Sequence, residues 1–85
     1  MKVTGISEFE HALSLNILET CRMARADGTA AMSMACLQQC VPSPSALLPG
    51  APRGANAQYY YAQLFAAVAR RICKGYFKIT EGGGA

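Results

Sequence analysis

Carboxylates are scarce in this chain: five Asp and Glu stand against eight Lys and Arg in 85 residues. A surface that imitates the nucleic-acid backbone needs a dense carboxylate array, so that class is set aside. No apolar run approaches the ~20 residues that a membrane-spanning helix requires. In the opening stretch MKVTGISEFEHA, Glu8, Glu10 and His11 fall where a signal peptide would keep its apolar centre. The expectation is a soluble, cytoplasmic protein without membrane contact. In that compartment the four cysteines are expected to be reduced, and their spacing does not match the framework of a small secreted scaffold. No glycine loop precedes a helix in a phosphate-cradling position, and the single His11 has no nucleophile or ligand partner nearby. The chain is therefore expected not to be an enzyme and to need no cofactor. No internal repeat is present.

The length allows one domain, residues 1–85, with a modest core. Alanine supplies much of the 52% apolar fraction, so the core is expected from Phe9, Leu13, Ile17, Leu18, Leu37, Leu64, Phe65, Val68, Ile72, Phe77 and Ile79. Each contributes about 1.5 to 3 kcal/mol when fully buried, most of it offset by chain entropy.

Met1 to Ile6 are too few to assign to a strand or an arm. Ser7-Glu8-Phe9-Glu10 reads as a capping box: Ser7 covers the Glu10 amide and the Glu10 side chain reaches back to Ser7. Phe9, Leu13, Ile17, Cys21 and Ala24 keep the apolar face of the helix that follows, and Asp27-Gly28 stops it. Thr29 is the expected cap of a second helix through Cys40, with Met32, Cys36, Leu37 and Cys40 on its buried side and Pro42 at its end. Residues 41–55 hold Pro42, Pro44, Pro49, Pro52, Gly50 and Gly54, which rule out a regular element. This is expected to be an ordered loop with a single helical turn, folded back onto the core through Leu47 and Leu48.

The clearest signal is residues 56–74. Asn56 is placed to cap a helix, and Gly75 to end it in the left-handed conformation. Tyr61, Leu64, Phe65, Val68 and Ile72 form the inner stripe; Asn56, Tyr59, Gln63, Ala66, Arg70 and Lys74 form an outer one. Tyr76 to Thr80 then alternate as a half-buried strand, and residues 81–85 are expected to be a flexible tail. The fold class is mainly α: three helices with a short C-terminal strand or minimal hairpin.

The helix order, followed by Lys74-Gly75-Tyr76-Phe77-Lys78-Ile79-Thr80 and the glycines Gly82 to Gly84, resembles the winged helix-turn-helix family of DNA-binding domains. In that family a recognition helix ends in a basic residue and glycine and runs into the first strand of a β-hairpin wing. The connection between the second and third helices is longer here than the family's tight turn. The resemblance implies a winged-helix-like regulator of phage, plasmid or operon type, a repressor acting on double-stranded DNA; one small module seldom gives enough specific contact, so a homodimer is expected. Asn56, Gln58, Tyr59 and Gln63 would read bases, since amide side chains pair with adenine edges and tyrosine stacks or reaches phosphate. Arg70, Arg71, Lys74 and Lys78 would hold phosphates, which carry affinity but no sequence information. Cations in a last helical turn also complement the helix dipole, which is the structural explanation of the same cluster.

A reading from another class is a small interaction protein that inhibits a host protein complex. It would use Met32, Met34, Leu47, Leu48 and the tyrosines as an adaptable apolar patch, with the basic cluster as its rim. Cys36 and Cys40 lie one helical turn apart, and with Cys21 and Cys73 they number enough for a four-thiolate zinc site. Neither half has the close knuckle spacing of such sites. Free buried cysteine is the favoured reading, and no metal is assigned.

Overall fold

The computed structural model describes residues 6–80. In chain order the elements are α1 (Glu8–Ala26), β1 (Ala31–Ser33), α2 (Met34–Cys40), α3 (Ala57–Cys73) and β2 (Lys78–Thr80). The protein is a mainly α domain of three helices with a short C-terminal strand. Residues 1–5 of the unassigned N-terminal stretch and the tail expected at 81–85 lie outside the described residues.

At the start of α1 the Ser7 Oγ accepts from the Glu10 amide at 3.1 Å, as the capping box requires. The Glu10 carboxylate does not complete the box. It lies 3.7 Å from Arg71 Nη2, because α3 packs alongside and brings a cation within reach. The far end of α1 closes in a Schellman motif on Gly28, whose φ is +86°. The Thr29 amide donates to the Ala24 carbonyl at 3.0 Å and the Gly28 amide to the Arg25 carbonyl at 2.9 Å.

Beyond Thr29 the structure corrects the sequence reading. The chain stays extended over Ala31–Ser33 and pairs in parallel with β2, Met32 opposite Ile79, before α2 begins. The helix cap is Ser33 and not Thr29: its Oγ accepts from the Cys36 amide at 3.1 Å. Alanine and methionine favour a helix locally by tenths of a kcal/mol, which pairing with a distant strand outweighs. The same pairing gives β2 a partner 47 residues earlier in the chain, so β2 is no hairpin arm among the described residues.

Both termini of α3 differ in detail from expectation. Asn56 precedes the helix with φ −103° and ψ 21°, and its side chain makes no capping bond. Gly75 is not left-handed; Lys74 is still helical, and the chain exits through Tyr76 and Phe77, whose amides both donate to the Cys73 carbonyl at 2.7 and 3.1 Å. Glycine is instead required at Gly50, with φ +92°, where an added Cβ would collide with the Ser7 side chain. Gly50→Ala is expected to destabilise the fold by about 2 to 3 kcal/mol, from the left-handed backbone and the disturbed cap together. Gly75→Ala, with open space around it, should change stability by less than about 0.5 kcal/mol. Paired urea titrations check both.

The core forms where α1 lies on α3. Phe9, Leu13, Ile17, Cys21 and Ala24 meet Phe65, Val68, Ala69 and Cys73, and Leu37, Val41, Ala51 and Phe77 close the ends. The buried face of α3 is therefore turned toward Ala69 and Cys73, leaving Tyr61, Leu64 and Ile72 half-buried at its margins. Leu18 and Ile79, expected in the core, are also half-buried. The small residues at 69 and 73 are what allow close helix approach. At their end of the interface Cys21 and Cys73, expected free and reduced, are joined in a disulfide with 5.8 Å between Cα atoms. Both are fully buried, and burial protects the bond, since exchange requires a thiolate to reach a sulfur.

The proline loop is fastened at two points: the Phe9 amide donates to the Pro49 carbonyl at 3.0 Å, and Asn16 Nδ2 to the Pro42 carbonyl at 3.0 Å. Leu48 packs against the core, but Leu47, expected to do the same, is 85% exposed. Successive residues in a turn point apart, so only one of the pair can be covered. No helix of the described residues is long and apolar enough to cross a membrane.

Candidate nucleic-acid interface

Because α3 buries Phe65, Val68, Ala69 and Cys73, the opposite side of the helix must face solvent. Asn56, Tyr59, Gln63, Arg70 and Lys74 are all exposed there, with Ala66 between them half-buried. These residues fall within one narrow sector at 100° per residue. The helix carries no carboxylate.

At its basic end, Arg70 and Lys74 stand one turn apart, and the chain then turns through Gly75 into β2, which opens with Lys78. The three cations frame a shallow depression floored by Phe77 and Ile79. Buried Phe77 fixes the turn, so this spacing is set by the core. Long side chains around an apolar floor keep their charged heads in water, available to an anion.

Two of the sequence-derived positions stand apart. Arg71, next in the chain to Arg70, is rotated by about 100° toward α1, where it meets Glu10. Exposed pairs of this kind contribute only about 0 to 1 kcal/mol, so Arg71 is available but partly neutralised. Gln58 is turned the other way, into a groove lined by Ser43, Pro44, Pro52 and Tyr61, and does not join Tyr59 and Gln63.

The tyrosine run divides by helical geometry. Tyr59 and Tyr60 are exposed and pack edge to face, 5.5 Å between centroids. Tyr61 turns inward against Phe9 and Phe65, and its phenol oxygen accepts from Ser43 Oγ at 3.2 Å.

One residue at the basic end was not found from sequence. Arg25, at the end of α1, donates from Nη1 to the Gly75 carbonyl at 3.2 Å and lies over the Tyr76 ring, 6.0 Å from its centroid. It braces the turn between Lys74 and Lys78. Fifty residues separate Arg25 from Gly75, and no local pattern signals that contact.

Cys36 and Cys40, expected on the buried side of α2, are both exposed; Leu37 is the residue that helix buries. The Cys40 thiol is pushed above its ordinary value by local desolvation and then by the neighbouring Cys36. Oxidation of Cys21 and Cys73 removes the other half of any four-thiolate arrangement.

No protein-family model matches this chain, and no curated protein or solved structure matches it either.

Proposed function

We propose that the protein is a small DNA-binding transcriptional regulator, a repressor of the phage, plasmid or operon type, that presents α3 to duplex DNA. The observation that carries this reading is the exposed side of α3, from Asn56 to Lys74 with half-buried Ala66 at its middle, free of carboxylates and continued by Lys78 on β2. Tyr59 and Gln63, with Asn56 before the helix, read base edges; Arg70, Lys74 and Lys78 hold phosphates. Gln58 and Arg71 belong to the proposed site only at its edges. The winged-helix resemblance supports the same assignment of α3. One module of this size makes few specific contacts, so the protein binds as a homodimer on a two-part site.

Duplex binding measured against salt tests the reading. With three phosphate contacts, the slope of log K on log salt is expected near −2.7. No binding at low salt would sink it.

The second reading, inhibition of a host protein complex, draws on the exposed Leu47, Tyr59 and Tyr60. Large apolar side chains left in solvent suit a protein partner. Of its proposed patch, Met32, Met34 and Leu48 are packed on the core and offer less. Retention of one stoichiometric protein from nuclease-treated host lysate, with no duplex binding, would favour this second reading.

A further inference from the structure

The pair Cys36 and Cys40 takes no part in the face formed by α3. Both thiols are exposed and unoxidised, and they stand at i and i+4 on one helix. Side chains so spaced have Cβ atoms about 5 to 6 Å apart, which allows two sulfurs to grip one ion between them. The platform is fixed: Ser33 caps the start of α2, Leu37 is fully buried between the two cysteines, and buried Val41 follows Cys40.

The surroundings select among ions. No group of three or more His, Cys, Asp or Glu is placed to hold a metal among the described residues. A structural zinc ion needs four ligands, and calcium or magnesium needs a shell of oxygens; neither is offered. Two thiolates alone satisfy a soft ion that accepts low coordination. Thiolate softness selects copper(I) over harder divalent ions.

We propose that Cys36 and Cys40 are a two-thiolate site for a soft monovalent ion of the copper(I) class. One copper(I) replaces the two thiol protons, which pass to solvent, and leaves a bis-thiolate complex with one negative charge. No electron is transferred. Cys21 and Cys73 do not compete, because they are buried and already bonded to each other.

The test uses the full chain with its disulfide intact, kept free of oxygen and of thiol reductants. Copper(I) held by the chromophoric chelator bathocuproine disulfonate is offered to the protein. The chelator's absorbance gives the amount removed, and native mass spectrometry gives the stoichiometry. One copper(I) per chain is expected. Cys36→Ser and Cys40→Ser should each weaken uptake on the order of 100-fold, because the second thiolate acts at high effective concentration. The double variant should take up none while its circular dichroism is unchanged. Absence of uptake by the wild-type chain, uptake undiminished in the double variant, or one ion per two chains would each overturn the site.

Discussion

Reduction of the Cys21–Cys73 bond is expected to lower the unfolding free energy by about 4 kcal/mol, the value that loop closure gives for a cross-link spanning 52 residues. The ring it closes contains β1, α2, the proline loop and all of α3. An 85-residue domain has about 4 to 13 kcal/mol of stability in total, so the bond is a large share of it. At roughly 4 to 8 °C per kcal/mol for a domain of this size, the midpoint should fall by about 15 to 30 °C. Cys21→Ala with Cys73→Ala should fall further, since both sulfurs are fully buried and their removal leaves voids. Urea unfolding with and without a phosphine reductant gives the first value, and the variant gives the second. A loss below about 1 kcal/mol would show that packing of α1 on α3 already does what the bond was credited with.

The triple variant Arg70→Ala, Lys74→Ala, Lys78→Ala is expected to weaken duplex binding by about 100-fold near 0.15 M salt and to flatten the salt slope toward zero. All three side chains are exposed, so stability should stay within about 0.5 kcal/mol. Arg71→Ala should cost much less binding than any member of the triple, because its guanidinium is already beside Glu10. Tyr59→Ala or Gln63→Ala should change the preference among duplex sequences while leaving the salt slope intact, since base contacts and phosphate contacts are separable. Fluorescence anisotropy with a random and a selected duplex distinguishes these outcomes. Equal losses for Arg70, Arg71, Lys74 and Lys78 would mean that net charge, and not the arrangement at the end of α3, governs binding.

Local chemistry made much of the fold legible. Ser7 caps α1 because its hydroxyl sits three residues before a free amide, and Gly28 ends the helix because its backbone must turn left-handed. The period of Phe9, Leu13, Ile17, Cys21 and Ala24 marked the buried face of α1, and all five are buried. The candidate face was legible in part, since exposure of Tyr59, Gln63, Arg70 and Lys74 follows from helical spacing once the inner stripe is known. What escaped the reading was non-local. β1 is a strand because β2 lies beside it, Arg25 reaches Gly75 across 50 residues, and Glu10 turns to Arg71 because α3 is there to meet it.

Residue intervals alone placed α1 and α3, the apolar side of α1, and the cations that collect where α3 gives way to β2. Those properties depend on intervals of three or four residues. It took the packed fold to bring Cys21 to Cys73, to turn Cys36 and Cys40 to solvent, and to let Lys78 close a frame with Arg70 and Lys74 while Arg71 and Gln58 turn away. Each depends on the rotation of one helix against another. That rotation is set by the packing of small residues at Ala69 and Cys73, which no interval along a single helix reveals.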